Sequence, residues 1–105
     1  MKTASGKRIL RAELTDNFLR FGDKFEKIDH NPMTGMYCYK RTTSENLIYY
    51  EVFKAPIQEG TPRYPKSSEF GFGRALCIRG DEKQTQDKIT WYMSNGFEHG
   101  RYGIL

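Results

Sequence analysis

Two aromatic-rich runs near the middle of the chain predict a β-hairpin. Residues 36–42, MYCYKRT, and residues 47–54, LIYYEVFK, are both rich in aromatic and branched side chains. Such side chains favour strands, and the short polar loop of residues 43–46 has a suitable length for a hairpin connection. We therefore predict that these two runs pair as neighbouring antiparallel strands.

The register of this hairpin decides which side chains share a face of the sheet. We predict a register that places Tyr39 opposite Tyr50, and side chains alternate between the two faces along each strand. The face that looks like core carries Tyr37, Tyr39, Ile48, Tyr50 and Val52. The mixed face carries Met36, Cys38, Lys40, Leu47, Tyr49, Glu51 and Phe53. Because both faces are partly apolar, we expect each to be covered by another segment or to bind a partner.

Two more strands are predicted on either side of this hairpin in the sequence. Residues 24–30, KFEKIDH, form a first strand, and the turn signal NPMTG at residues 31–35 joins it to the hairpin. Residues 73–79, GRALCIR, form a short fourth strand. Between the hairpin and this strand, residues 55–72 hold three of the four prolines, so we expect a long loop of the kind that often carries function.

The strongest helix signal lies at residues 82–95. Asp81 is a good N-cap, and Gln84 follows it by three residues, as in a capping box. The dipeptide NG at residues 95–96 supplies a C-terminal stop. We therefore predict a helix that begins directly after Asp81.

A second helix is predicted at residues 8–21, where apolar side chains recur at helical spacing and Gly22 follows as a C-terminal cap. The run TDN at residues 15–17 argues against this helix, because these side chains compete for backbone hydrogen bonds. The alternative is an irregular arm followed by a short helix that starts at residue 15 or 16.

Together these elements predict a single α+β domain over residues 1–105. A small antiparallel sheet, built from a three-strand meander and a short fourth strand, packs one face against the C-terminal helix. We expect the N-terminal segment to cover the other face of the sheet. Residues 1–7 are predicted as a flexible tail.

Composition agrees with a globular domain, since 37% of the 105 residues are hydrophobic and 29% are charged. No stretch approaches the roughly 18 apolar residues that span a bilayer, and the basic N-terminus lacks the apolar stretch of a secretory signal. We therefore expect a cytoplasmic protein that does not enter a membrane.

The net charge of +4 is concentrated at the start of the chain. Residues 1–21 hold five basic and two acidic side chains, whereas the remaining 84 residues hold twelve basic and eleven acidic ones. A nearly neutral body with mixed signs is ordinary solvated surface, and it differs from the basic stripe of a dedicated nucleic-acid-binding protein.

The sequence shows no arrangement of residues that predicts catalysis or metal binding. Cys38, Cys77, His30 and His99 lack the close ligand pairs of structural zinc sites. Both cysteines lie in apolar strand sequence, where we expect buried and inert thiols. The carboxylates are too scattered to define an acid–base pair. We therefore predict a protein that is not an enzyme and that needs no cofactor.

Protein–protein interaction is the predicted function. The mixed hairpin face offers Met36, Tyr49 and Phe53, and the long loop adds Tyr64. Tyr, Phe and Met side chains are typical of interfaces. The expected partner is an unidentified protein or a second copy of this chain.

Nucleic-acid binding is the alternative function. The order of helix, three strands and helix resembles that of double-stranded RNA-binding domains, and three strands followed by a helix also resemble small domains that lay a sheet in the major groove of DNA. The sequence has no diagnostic motif of either family. The candidate phosphate contacts are Lys2, Lys7, Arg8 and Arg11. The candidate contacts to sugar or bases, from an open sheet face, are Lys40, Tyr49 and Phe53.

One further resemblance covers residues 47–95. The runs YYEVFKAPIQ and RYPKSSEFGFGRALCI, followed by the capped helix, are similar to short uncharacterised proteins of phages and bacterial mobile elements. This resemblance implies a small bacterial or phage accessory protein, and it assigns no activity and no catalytic residue.

Overall fold

The computed structural model describes residues 13–70 and 74–97. Along the chain the elements are β1 (Asn17–Arg20), β2 (Asp23–Asn31), β3 (Met36–Thr42), β4 (Ile48–Lys54), β5 (Ile57–Gln58), β6 (Thr61–Pro62), a 3-10 helix (Ser67–Glu69), β7 (Ala75–Arg79) and α1 (Thr85–Asn95). Five antiparallel strands form one sheet in the order β1-β2-β3-β4-β7, and β5 pairs with β6 in a separate ribbon. Because α1 packs on one face of the sheet, the predicted α+β class is confirmed.

The predicted hairpin of β3 and β4 is confirmed, but its predicted register is wrong by one residue. Tyr39 lies opposite Glu51 rather than Tyr50. A shift of one residue moves every side chain of a strand to the other face. One face therefore carries Tyr37, Tyr39, Arg41, Tyr49, Glu51 and Phe53, and the other carries Met36, Cys38, Lys40, Ile48, Tyr50 and Val52.

The loop between β3 and β4 explains this shift. The Thr43 amide donates to the Leu47 carbonyl at 2.9 Å, and the Leu47 amide donates back to the Thr43 hydroxyl at 3.1 Å. Asn46 adopts a left-handed φ of 67°, which Asn tolerates better than most residues. Leu47 therefore closes the loop instead of beginning the strand.

The face under α1 forms one hydrophobic core. Its buried members are Met36, Cys38, Val52, Ile78, Ile89, Tyr92 and Met93. The helix contributes the last three, which lie one turn or less apart and so share one side of it. This core fixes α1 across β2, β3 and β4.

The turn between β2 and β3 holds the C-terminal part of the helix. The side chains of Asn31 and Thr34 both donate to the Met93 carbonyl, at 2.8 Å and 3.0 Å. Gly35 ends the turn at a left-handed φ of 77°, and its amide donates to the Asn31 carbonyl at 2.8 Å. The turn predicted from NPMTG is therefore confirmed, and it also anchors α1.

The opposite face of the sheet carries an aromatic cluster. The cluster consists of Phe25, Tyr37, Tyr39 and Phe53, together with Ala55 and Ala75. Tyr64, from the loop after β6, packs on this cluster with ring centroids 4.6 Å from Phe53 and 5.2 Å from Tyr39. Leu14 and Phe18 also pack against it. The N-terminal segment therefore shares the covering of this face with the long loop.

The predicted N-terminal helix is wrong where the structure describes it. Residues 17–20 form strand β1, and residues 13–16 precede it without helical structure, so the alternative short helix is wrong as well. Strand pairing stacks the rings of Phe18 and Phe25 at 4.7 Å, which a helix at this position would prevent. The rest of the predicted helix, at residues 8–12, and the predicted tail at residues 1–7 lie outside the described residues.

Helix α1 is confirmed, although it begins later than predicted. The N-cap is Gln84, which makes no capping hydrogen bond with its side chain, so the predicted capping box is wrong. Asp81 instead pairs with Arg79 at 2.9 Å, and the Thr85 hydroxyl donates to the Arg79 carbonyl at 2.7 Å. A turn therefore occupies residues 81–84. No helix within the described ranges is both long and apolar enough to cross a lipid bilayer.

The predicted long loop is braced by its own contacts. The Arg63 guanidinium donates two hydrogen bonds to the Glu69 carboxylate, each 2.9 Å long. The Lys66 amide donates to the same carboxylate at 2.7 Å. These bonds close the segment around Pro65, which is buried, and so hold Tyr64 against the aromatic cluster.

Replacing Phe53 by Ala is expected to destabilise the fold strongly. Phe53 is 0% exposed within the aromatic cluster, and a Phe-to-Ala change in a core costs about 3–5 kcal/mol. Urea unfolding followed by circular dichroism measures this loss in the free energy of unfolding. The control is Ile57→Ala: Ile57 is 66% exposed, and its loss is expected to cost under about 0.5 kcal/mol. Equal effects of the two changes would contradict the described core.

Candidate functional site

A chain of charged and polar side chains crosses the aromatic face near the β1–β2 turn. Arg41 donates to Asp23 at 2.7 Å and to Glu51 at 3.0 Å. Glu51 also accepts a hydrogen bond from the Tyr64 hydroxyl at 2.5 Å. Asp23 and Glu51 are only 7% and 4% exposed, so both carboxylates are paired where little water reaches them.

This chain of contacts is a hydrogen-bonded network whose buried polar atoms all have partners. Burial, and after it the charge of Glu51, raises the pKa of Tyr64, so its hydroxyl stays protonated and donates. Within residues 13–70 and 74–97, no buried side-chain nitrogen or oxygen lacks a hydrogen-bond partner. The network therefore joins the loop to the sheet.

An open cleft of about 230 Å³ lies beside this network. Its walls combine the rings of Phe21, Phe25 and Phe70 with the polar groups of Arg41 and Glu51. Sites for cofactors and drug-sized ligands occupy about 300–1,000 Å³. The cleft is therefore smaller than most such sites, and its volume suits one amino-acid side chain.

The turn between β1 and β2 holds a bulky residue in a conformation that bulky residues avoid. Phe21 has a φ of 56° and Gly22 a φ of 80°. Two positive φ values are typical of a two-residue type I′ turn, in which Asn-Gly, Asp-Gly and Gly-Gly are the preferred sequences. A residue other than glycine in this region carries strain of about 1–3 kcal/mol. Phe21 therefore makes this turn less stable than Asn, Asp or Gly would at the same position.

The same turn presents large side chains to water. Phe21 is 76% exposed and Leu19 is 78% exposed. Between them in sequence, the Arg20 guanidinium lies 5.0 Å from the ring centre of Phe21 and 5.5 Å from that of Tyr64. Arg20 donates one long hydrogen bond, 3.4 Å, to the Pro65 carbonyl and has no ion pair within the described residues. We refer to Leu19, Arg20 and Phe21 as the hairpin tip.

The residues predicted to form an interaction surface do not lie together. Met36 and Phe53 are both 0% exposed and lie on opposite faces of the sheet, so their predicted place on an exposed face is wrong. Tyr64 is half-buried in the aromatic cluster, and Tyr49 is half-buried on the same face. The register error explains this outcome, because the prediction placed Met36 and Phe53 on one face.

The basic residues predicted to contact nucleic acid are only partly described. Lys40 is half-buried in β3, between Glu26 of β2 and Tyr50 of β4. The other predicted contacts, Lys2, Lys7, Arg8 and Arg11, lie outside the described residues. The described residues therefore offer Lys40 alone from this set.

The two thiols lie in different environments. Cys38 is buried in the core under α1, and burial raises its pKa to about 12. Cys77 is exposed on the outer strand β7, so the expectation of a buried thiol is wrong for Cys77. In the part of the chain that the structure describes, no three His, Cys, Asp or Glu side chains lie together so that they could hold a metal ion. His99 falls outside that part.

Comparison with protein-family models, curated proteins and solved structures gives no match to this chain.

The sequence does not lead to a prediction of the hairpin tip, because residues 8–21 are predicted as a helix. A local signal for the correct structure is nonetheless present. Phe21 and Gly22 separate two short runs, NFLR and DKFE, by the two-residue spacing of a tight hairpin. The aromatic residue at the first turn position conceals this signal, because Asn, Asp or Gly is expected there.

Acidification is expected to loosen the loop that borders the cleft. The hydrogen bonds from Arg63, and after them the Lys66 amide, lower the pKa of Glu69 from 4.5 to about 2. Because the folded-state pKa is depressed, this stabilisation is present above pH 4.5 and is lost as the pH falls towards 2. Thermal unfolding of the wild type and of Glu69→Gln across this range measures the effect.

The expected result is a weaker dependence of the unfolding temperature on pH in Glu69→Gln between pH 4.5 and 2. Glu59→Gln serves as the matched control, because Glu59 lies at an exposed turn and has no ion pair within the described residues. A pH profile of Glu69→Gln that coincides with the wild type would contradict the assigned role of Glu69.

Replacing Phe21 by Asn is expected to stabilise the protein by about 1 kcal/mol, because Asn-Gly suits the turn that Phe-Gly occupies under strain. Urea unfolding measures the change in the free energy of unfolding. Phe21→Ala is the control, since it removes the ring and keeps an unfavourable residue at a positive φ. Destabilisation by Phe21→Asn would show that the ring packs as part of the fold.

Proposed function

We propose that this chain is a protein-binding module and that the hairpin tip is its contact surface. The tip offers an aromatic ring at Phe21, a cation at Arg20 and an aliphatic side chain at Leu19. Aromatic and Arg side chains contribute most of the binding energy in many protein interfaces. The adjoining cleft accommodates one side chain of the partner.

The observation that carries this proposal is the combination of strain and exposure at Phe21. A residue at φ 56° opposes folding, and a ring that is 76% exposed gains little from packing in return. Strained residues cluster at binding sites and catalytic sites, where they serve recognition rather than stability. A partner that covers the Phe21 ring supplies the contact that the isolated chain lacks.

The other exposed apolar residues do not combine these features. Met33 is 92% exposed in the turn between β2 and β3, and Ile57 is 66% exposed in the β5–β6 ribbon. Neither has a positive φ, and isolated exposed apolar residues are common on protein surfaces. Both are therefore suitable controls for the hairpin tip.

The charges of the described residues favour a protein partner over a nucleic acid. Residues 13–70 and 74–97 hold twelve basic and twelve acidic side chains. Binding to nucleic acid depends on basic side chains that neutralise phosphates, and it normally requires a basic patch or stripe. The alternative function therefore depends on basic residues outside the described ranges.

Photo-cross-linking from single positions in the native host tests the proposal. A benzophenone amino acid replaces Phe21 or Leu19 in two test variants, and it replaces Met33 or Ile57 in two matched controls. We expect position 21, and then position 19, to give several-fold more cross-linked product than either control. We also expect this product to contain a second polypeptide and to survive nuclease treatment.

Two results would overturn the proposal. Equal yields at all four positions would show that the hairpin tip has no preferred contact. A product that nuclease removes would identify nucleic acid as the partner and would favour the alternative function.

A further inference from the structure

The outer edge of β1 carries backbone groups that have no partner in the described part of the chain. The Asp16 carbonyl accepts from the Lys27 amide of β2 at 2.7 Å, and Arg20 ends the strand at the two-residue turn. In an antiparallel pair, residues that bond to the neighbouring strand alternate with residues whose groups point away from it. The backbone groups of Asn17 and Leu19 therefore point outward.

We propose that a second copy of this chain pairs with this edge, so that two β1 strands lie antiparallel about a two-fold axis. The inference rests on the proposed function, because Leu19 and Arg20 of the hairpin tip belong to this strand. Asn17 of one copy lies opposite Leu19 of the other, and Phe18 lies on the axis. Each hydrogen-bonded pair exchanges two bonds, so this register gives about four hydrogen bonds between the copies.

The side chains that flank β1 are complementary in this register. Arg20 of one copy lies opposite Asp16 of the other at both ends of the paired strands. Arg20 has no ion pair within the described residues, and the Asp16 side chain is 79% exposed although it contacts Lys27 at 3.1 Å. Opposite charges directly across two strands stabilise their pairing, and like charges destabilise it.

The apolar side chains of β1 also gain cover in this arrangement. Leu19, which is 78% exposed, gains neighbours from the second copy on one face of the sheet. On the other face, Phe18 extends the aromatic cluster towards the Phe18 of the second copy. Natural edge strands are often protected by Lys, Pro or a bulge, and β1 has none of these.

The other outer strand, β7, is a poorer site for such pairing. In an antiparallel pair of β7 strands centred on Cys77, Arg79 of one copy would lie opposite Ala75 of the other, so this register brings no opposite charges together. Arg79 already pairs with Asp81 at 2.9 Å within its own chain. Charge complementarity therefore favours β1 over β7.

Charge reversal with rescue tests the Arg20–Asp16 contact. Sedimentation velocity over a concentration series measures self-association of the wild type, Arg20→Glu, Asp16→Arg and the double variant. We expect each single reversal to weaken the dimer about tenfold, because both contacts become repulsive, and the double variant to recover most of the affinity. Lys24→Glu is the matched control, since it reverses a charge on β2 away from the edge.

Cross-linking by disulfides tests the register in a Cys77→Ser background. We expect oxidised glutathione to link Asn17→Cys chains to Leu19→Cys chains when the two are mixed, and to link neither variant to itself. Self-linking of Asn17→Cys or of Leu19→Cys would indicate a register shifted by one hydrogen-bonded pair and would overturn the Arg20–Asp16 contact.

The remaining outcomes separate this inference from the proposed function. A wild type that stays monomeric at every concentration overturns the dimer, and so does a dimer that cross-links through the native Cys77. If position 21 still cross-links to a different protein, the protein-binding function stands and only the identity of the partner is wrong. A monomer without a preferred cross-link at position 21 would overturn both.

Discussion

The packing of Tyr64, a residue of the long loop, on the aromatic face of the sheet is the interaction on which the rest of the structure depends. Its ring completes the cover of the aromatic cluster, and its hydroxyl fixes Glu51, which in turn holds Arg41 against Asp23. Asp23 begins β2 directly after the β1–β2 turn. One loop residue therefore connects the covering of the sheet with the position of the hairpin tip.

The sequence prediction of the fold succeeds where local signals decide. Aromatic and branched runs define β3 and β4, and NPMTG defines the turn before them. The prediction fails where distant residues decide. Phe18 belongs to a strand because it stacks on Phe25, and the start of α1 is displaced because Thr85 bonds to the end of β7. Helical spacing and capping rules do not include these contacts.

The site is harder to predict than the fold, because a small error in register changes every surface. The β3–β4 loop is one residue longer than predicted, with Asn46 at a left-handed φ, so Glu51 and Phe53 share a face with Tyr37 and Tyr39 rather than with Met36. Tyr64 and Glu51 are 13 positions apart, with the end of β4 and the β5–β6 ribbon between them, so their contact leaves no periodic signal. The hairpin tip did have a local signal in Phe21-Gly22, but exposure and strain become visible only in three dimensions.

The hold of the β2–β3 turn on α1 has a consequence for how the chain folds. Isolated helices shorter than about 12–15 residues are marginal in water, and α1 has 11 residues. Its Met93 carbonyl is bound by side chains 62 and 59 positions earlier in the chain. The helix therefore gains its stability only when the meander is already assembled, which makes folding cooperative. A backbone nick in the turn at residues 32–34 is therefore expected to weaken the anchoring of the helix as well, although the two are far apart in sequence.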